Sequence, residues 1–145
     1  MIDLISKQLA PTGILRVGIN MSNFLLVSGV NSAGFPEGVS PDLGERIAKE
    51  LNIPYKLVQY KRPGELADAV NKNQWDIGNI AFELKRAETI DFTNSYVNIN
   101  ANFLVRKIDN FKTNEDVSKA RVKIAVLERS AYDLWLTENF KDIEL

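Results

Sequence analysis

Three short apolar runs alternate with two helical patterns in the first half of the chain, and this order restricts the fold more than any other feature. The runs Ile14–Ile19, Tyr55–Tyr60 and Trp75–Ile80 have the length and the apolar content of buried strands. Between them, Ser40–Leu51 and Pro63–Asn71 carry apolar residues at helical spacing. Strands that alternate with helices at such short spacings predict a parallel sheet with right-handed crossovers.

The first of these two helices has the clearest boundary signals. Ser40 is a good N-cap residue, Pro41 suits the first helical position, and Asp42 complements the positive end of the helix. Asn52 follows the last apolar residue of the pattern and predicts the end of the helix.

Polar residues follow the first and third predicted strands, and they indicate a ligand site. Asn20 and Asn23 follow the first strand, while Asn79, Glu83 and Arg86 lie at or after the end of the third. Ligands of parallel α/β sheets bind outside the carboxyl ends of the strands. A guanidinium fixed there offers a planar fork of donors that matches a carboxylate. The residues alone leave open whether Arg86 binds an anion or is an ordinary solvated arginine.

The composition excludes several classes of protein. The chain of 145 residues carries 18 basic and 19 acidic residues, and this near-neutral balance does not favour nucleic acid as a partner. Histidine and cysteine are both absent, which removes Ser-His-Asp and Cys-His catalytic devices, disulfides and thiolate metal sites. We therefore expect no catalytic residue, no metal and no cofactor.

The sequence carries neither a signal peptide nor a membrane-spanning run. No apolar stretch is long enough to cross a bilayer, and the amino-terminal residues lack a basic start and a long apolar core. Composition leaves open both a cytoplasmic protein and the mature or trimmed form of an exported one.

The second half of the chain predicts a different set of elements. Tyr96–Arg106 alternates like a longer strand, and Lys107–Ala120 is typical of a polar crossing segment with one helical turn. Val122–Val126 predicts another buried strand, and Ala131–Asn139 predicts a helix that follows a loop containing Ser130.

Five segments form one recognisable pattern through their order and spacing. They are LRVGI at Leu15–Ile19, GVSPDLGERIAKELN at Gly38–Asn52, WDIGNI at Trp75–Ile80, KRAETIDFTNSY at Lys85–Tyr96, and VKIAV at Val122–Val126 followed by Ser130. A chain with this pattern resembles the amino-acid-type periplasmic solute-binding proteins of ABC transporters, the type II family with two lobes.

The resemblance implies an α/β fold of the type II periplasmic-binding-protein kind, with ligand held between two lobes. We expect a first lobe with a mostly parallel sheet flanked by helices in residues 1–106, a crossing segment in 107–120, and the beginning of a second lobe in 121–145. Members of the family continue further than this chain. A fragment, a short gene product and a homo-oligomer whose copies complete each other's second lobe are the alternatives that follow.

The resemblance also implies a ligand-binding set. Arg86 matches the family's arginine that grips a ligand carboxylate, and Ser130 matches a second-lobe position that completes the anion site. Asn20, Asn23 and Phe24 match the first-lobe loop that contacts the ligand side chain. The remaining members of the set lie on the loop that leads to Arg86: Asn79, Ala81 and Glu83.

Five positions depart from the family pattern. Ala81 replaces a usual hydroxyl residue, Glu83 replaces a usual threonine, and Arg129 stands where glycine is common. In the first loop, Asn20 and Asn23 stand where the family has an acid and an aromatic residue. These departures leave three alternatives open: a different small anion with Arg129 as a second cation, a ligand with a cationic group near Glu83, or a site that no longer binds.

The function that the resemblance implies is that of a non-enzymatic, periplasmic solute-binding component of an ABC-type uptake system. It would bind a small carboxylate-bearing solute, such as an amino acid or a related organic acid, and deliver it to a membrane permease. Two alternatives stay open: a truncated or ligand-free sensor or interaction module, and a dehydratase-like enzyme with Glu83 as its acid.

Overall fold

The computed structural model describes residues 2–140 and 143–145. Its strands are β1 (Leu15–Asn20), β2 (Gly29–Val30), β3 (Pro36–Glu37), β4 (Tyr55–Tyr60) and β5 (Ile77–Gly78). Its α-helices are α1 (Ile2–Leu9), α2 (Val39–Leu51), α3 (Pro63–Asp68), α4 (Leu84–Ala87), α5 (Asn114–Lys119) and α6 (Ala131–Asn139). Short 3-10 turns lie at Val70–Lys72 and Lys107–Asp109. Across this described part of the chain, each helix is too short or too polar to cross a membrane.

The described residues group into two compact units. Unit 1 contains the residues up to Ala81 together with Glu88–Ile90, and unit 2 contains Phe82–Ala87 together with the residues from Asp91 onward. The lobe boundary expected at residue 106 stays a prediction.

Unit 1 is built on a three-stranded parallel sheet in the order β4-β1-β5. Gly18 of the central strand pairs with Val58 on one side and with Gly78 on the other. The helices α2 and α3 follow β1 and β4 in the chain, as right-handed crossovers of a parallel sheet require. The α/β fold with a parallel sheet and flanking helices is confirmed.

The core of unit 1 lies around β1, whose residues Leu15, Val17 and Ile19 are fully buried. The helix α2 approaches this strand closely at Gly44, where a Cβ atom would lie 2.6 Å from Cγ1 of Val17. On α3, the carbonyl oxygen of Leu66 accepts a 2.8 Å hydrogen bond from the indole N–H of Trp75. The side chains of β1 are therefore covered by helix and loop, which explains the continuous apolar run.

A buried ion pair joins the amino ends of β1 and β5. The guanidinium of Arg16 donates hydrogen bonds to both carboxylate oxygens of Asp76, at 2.9 Å from Nε to Oδ2 and 2.5 Å from Nη2 to Oδ1. The amide of Arg16 donates to Oδ2 at 2.8 Å, and Nη2 also donates to Oδ1 of Asn73 at 2.9 Å. A charged pair with several hydrogen bonds and fixed geometry specifies the register of two strands.

The start of α2 corrects the prediction that Ser40 is its N-cap. The helix begins at Val39 with Gly38 as the N-cap, and Gly38 has a φ of 128°. A Cβ atom at Gly38 would lie 2.7 Å from the carbonyl oxygen of Leu26, and that same oxygen accepts a 2.9 Å hydrogen bond from the amide of Ser40. A contact with a loop distant in sequence therefore starts the helix early, and the Ser40 hydroxyl is buried without a hydrogen-bond partner among the described residues. Asn52 ends the helix in a left-handed conformation with a φ of 52°, as predicted.

Unit 2 corrects two predicted strands and confirms a helix. The described residues show no strand in Tyr96–Arg106, and in Val122–Val126 only Lys123 forms a bridge, to Glu144. Apolar alternation favours an extended chain, but a strand also needs a hydrogen-bonded neighbour, and the pattern carries no information on that neighbour. The predicted helix Ala131–Asn139 is confirmed as α6.

The close approach at Gly44 gives a test of the packing of unit 1. Gly→Ala in a helix interior normally stabilises a protein, because alanine has the higher helix propensity. Here we expect Gly44→Ala to lower the free energy of unfolding by about 1–3 kcal/mol, because the new methyl group overpacks against Val17. Urea unfolding followed by circular dichroism measures this change.

Gly29→Ala is the matched control, since a Cβ atom at Gly29 meets nothing within 4 Å. It should change the stability by less than about 0.5 kcal/mol. Equal stabilities of the two variants would contradict the packing of α2 on β1.

Candidate functional site

The loop after β1 is shaped by its own asparagine side chains. Oδ1 of Asn20 accepts hydrogen bonds from the amide and hydroxyl groups of Ser22, at 3.2 and 2.7 Å. Oδ1 of Asn23 accepts a 3.2 Å hydrogen bond from the amide of Leu25. Phe24 in this loop is 81% exposed, and an exposed aromatic side chain is available to contact a ligand.

Asn79 lies next to this loop at the carboxyl edge of the sheet. Its amide lies 3.4 Å from the carbonyl oxygen of Gly18, which extends the pairing of β5 with β1 by one residue. Its Nδ2 donates a 3.0 Å hydrogen bond to the carbonyl oxygen of Ser40 in the first turn of α2. Asn79 therefore ties the start of α2 to the sheet edge, while Ala81 is exposed and supplies no polar side chain.

Arg86 lies on the short helix α4 of unit 2 and is buried, with only 6% of the residue exposed. Its Nη2 donates a 3.0 Å hydrogen bond to the carbonyl oxygen of Arg129. Glu83 supports the start of α4, because its Oε2 accepts a 3.1 Å hydrogen bond from the amide of Lys85. The backbone of Arg129 thus fixes the guanidinium immediately before the helix α6.

The start of α6 is built by two consecutive polar residues and one acid. Ser130 is the N-cap, is buried, and accepts a 3.2 Å hydrogen bond on Oγ from the amide of Asp133. Oδ2 of Asp133 accepts a hydrogen bond of 2.5 Å from the amide of Arg129, which has a left-handed φ of 58°. Asp133 was missed in the sequence analysis, although its spacing of three residues from Ser130 is a known N-terminal signature.

Burial and neighbouring charges both act on the Arg86 guanidinium. Burial lowers the pKa of the Arg86 guanidinium below its ordinary value, the charge of Arg129 lowers it further, and Glu83 acts in the opposite direction. An arginine stays charged in proteins, so the lowered pKa means that this cation has lost favourable solvation. The N-terminus of α6 adds the positive end of a helix dipole.

The predicted site residues fall into two sets, one in each unit. Unit 2 brings Arg86, Glu83 and Ser130 to the region around the start of α6, together with the backbone of Arg129. Unit 1 carries the members that lie at or after the carboxyl ends of β1 and β5: Asn20, Asn23, Phe24, Asn79 and Ala81. Among the described residues, no cluster of three or more histidine, cysteine, aspartate or glutamate residues could hold a metal ion.

A model of the family described as bacterial extracellular solute-binding proteins, family 3, matches residues 15–134. The chain is 29% identical over 127 residues to the membrane-bound lytic murein transglycosylase F of Shewanella sp. (strain W3-18-1). The matched region covers 86% of this chain and 25% of that protein.

Solved structures share the fold. The ancestral amino acid-binding protein AncCDT-1, a precursor of cyclohexadienyl dehydratase, is 25% identical, with a TM-score of 0.76 over 99% of this chain and 62% of its own. The cysteine-binding protein of Campylobacter jejuni is 21% identical, with a TM-score of 0.67 over 98% of this chain and 57% of its own. This chain therefore spans about three fifths of these structural relatives.

The N-cap of α6 can be tested by stability alone. Ser130→Ala should lower the free energy of unfolding by about 1 kcal/mol, because it removes the acceptor for the amide of Asp133. Chemical unfolding measures the loss. Ser118→Ala within α5 is the control and should change the stability by less than about 0.5 kcal/mol. A Ser130→Ala variant as stable as the wild type would show that the hydroxyl does not cap α6.

Proposed function

The chain belongs to the bacterial extracellular solute-binding proteins of family 3, and from this we propose that it binds a small solute that carries a carboxylate, either an amino acid or a related organic acid. The observation that carries the proposal is the buried guanidinium of Arg86, held 3.0 Å from the Arg129 carbonyl oxygen beside the N-terminus of α6.

The physical basis of the proposal is the solvation of Arg86. Burial removes water from the guanidinium, and the charge of Arg129 adds repulsion, so the cation gains when an anion approaches. A carboxylate accepts two parallel N–H bonds from a guanidinium, and such charge-assisted bonds are about twice as strong as neutral ones. Backbone N–H groups in the first turn of α6 can add further donors to an anion, as helix N-termini commonly do.

In unit 1, we propose the loop after β1 as a set of ligand contacts. Phe24 offers an exposed aromatic face, and the side-chain amides of Asn20 and Asn23 supply polar groups on the same loop. Solute sites typically combine an aromatic wall with a few placed polar groups. AncCDT-1, which has the same fold, is described as an amino acid-binding protein, and this supports an amino acid as the first class to test.

We propose binding and not catalysis as the activity. Glu83, the acid next to Arg86, has a structural role because its carboxylate accepts the amide of Lys85 at the start of α4. A catalytic acid needs a raised pKa and a partner for proton transfer. AncCDT-1 is described as a precursor of cyclohexadienyl dehydratase, so a dehydratase is the enzymatic alternative to binding.

The family also suggests a partner and a location. We propose that the protein acts in the periplasm and delivers its solute to the permease of an ABC-type transporter. The family is described as extracellular solute-binding proteins, and this supports an exported location.

A second candidate is a solute-binding module of a larger protein that acts on murein. The match to lytic murein transglycosylase F favours it, because 127 matching residues account for 25% of that protein. Murein peptides carry free carboxylates, so the same arginine could serve this role. A muramoyl peptide therefore belongs in the panel of solutes.

A thermal-shift panel tests the proposed function. The solutes are the twenty amino acids, small mono- and dicarboxylates and a muramoyl peptide. A solute at about 100 times its Kd stabilises by about 2.7 kcal/mol, which for a chain of this size raises Tm by roughly 5–10 °C. We expect one class of carboxylate to give this shift with the wild type, and Arg86→Ala to abolish it.

Two further variants serve as controls for the effect of Arg86→Ala. Arg46→Ala removes an exposed arginine of α2 that pairs with Glu50, and it should retain the full shift. Arg86→Lys preserves the charge without the planar fork, so it should fold and show a smaller shift. A wild type that no solute in the panel stabilises would overturn the proposed function, and an undiminished shift in Arg86→Ala would remove Arg86 from it.

A further inference from the structure

The parallel sheet of unit 1 has a free edge at β4. The strand order is β4-β1-β5, so β4 pairs with β1 on one side only. The amide of Leu15 donates to the carbonyl oxygen of Pro54, and the amide of Met21 donates to that of Tyr60, both at 2.9 Å. The even-numbered residues of this strand therefore direct their backbone groups toward β1.

The odd-numbered residues of β4 direct their backbone groups away from β1. They are Tyr55, Leu57 and Gln59, because the N–H and C=O groups of successive strand residues point to opposite sides. Within the described part of the chain, these backbone groups have no hydrogen-bond partner. A row of unpaired donors and acceptors of this kind is a template for one more strand.

A groove of about 630 Å³ lies beside this edge, lined by β4, by the hairpin of β2 and β3, and by the first two turns of α2. Phe35 and Tyr55 supply aromatic surface to it and are 57% and 39% exposed. The side-chain amide of Gln59 donates a 3.1 Å hydrogen bond to the carbonyl oxygen of Gly34, at the turn of the hairpin. The hairpin is thus held next to the free strand.

The lining of the groove is acidic. It contains the carboxylates of Glu37, Asp42 and Glu45, and Lys56 is its one basic residue. Glu45 forms an ion pair with Lys49 on α2. Glu37 and Asp42 are exposed and form no ion pair with another described residue. Carboxylates beside aromatic rings favour a cationic side chain with an apolar stem.

We propose that β4 and this groove form a docking surface for an extended segment of a partner protein that carries arginine or lysine. The segment adds a strand to the sheet, and its backbone bonds to Tyr55, Leu57 and Gln59. Alternate side chains of the segment then point to the same face, and a basic one contacts Glu37 and Asp42. The surface belongs to unit 1 and is independent of the solute site proposed at Arg86.

Fluorescence anisotropy with synthetic peptides tests this surface on the full chain. The probe is a dye-labelled octapeptide of alternating valine and arginine. One matched peptide has glutamate in place of each arginine, and another keeps the arginines but is N-methylated at every residue, so that its backbone cannot donate. We expect saturable binding of the probe and affinities at least about tenfold weaker for both matched peptides.

Two pairs of variants locate the binding on the protein. Gln59→Pro removes one outward amide, which edge strands tolerate, and should weaken binding of the probe by about tenfold. Gln59→Ala keeps that amide and should bind within about threefold of the wild type. Asp42→Asn should weaken binding by about threefold or more, whereas Glu50→Gln, at the other end of the same helix and outside the groove, should not.

Three results would overturn the proposal: no binding of the probe, equal affinities for the arginine and glutamate peptides, or equal affinities for the methylated and unmethylated ones. The last comparison also decides the question if Gln59→Pro does not fold, which circular dichroism shows. Sedimentation velocity examines a second copy as the occupant. A wild-type dimer that Gln59→Pro dissociates would show that β4 pairs with itself, and it would overturn the assignment to a partner segment.

Discussion

The buried ion pair of Arg16 and Asp76 is the interaction on which the arrangement of unit 1 depends. It joins the amino ends of β1 and β5 through three hydrogen bonds that Arg16 donates to the Asp76 carboxylate, and both side chains are nearly inaccessible to water. The register that it fixes places Asn20 and Asn79 at the opposite, carboxyl edge of the sheet. Removing one partner of such a pair leaves an uncompensated buried charge, at a cost of about 3–5 kcal/mol.

In unit 2, the guanidinium of Arg86 is positioned in a different way. Arg86 is buried on a helix of only four residues, so its position depends on the acceptors that it meets, among them the carbonyl oxygen of Arg129. That carbonyl is in turn oriented by Asp133 and by the Ser130 cap of α6. The same few residues therefore support the helix, fix the guanidinium and set the local charge. A change at Ser130 or Asp133 should therefore affect both stability and solute binding.

Sequence patterns predicted those parts of the molecule whose causes are local. The spacing of the apolar residues predicted α2 and the parallel sheet, and Asn52 predicted the end of α2. The structure contains all three features. Sequence patterns did not predict contacts between distant segments. Gly38 begins α2 because it packs against a loop, and Tyr96–Arg106 lacks the neighbour that a strand requires. In the candidate site, Arg86 was identified by its residue type. Its backbone acceptor was not, because every residue has a carbonyl group and the sequence does not show which one a guanidinium will meet.

The most direct test of the central claim follows the arginine side chains themselves. With 15N-arginine-labelled protein, Nε–Hε resonances can be assigned by Arg86→Lys and Arg129→Lys variants and followed during titration with the carboxylate that most raises Tm. The account predicts that the Arg86 resonance shifts most and that Arg16 stays unchanged. Saturable binding of the carboxylate with an unchanged Arg86 resonance would contradict the claim that this guanidinium holds the solute.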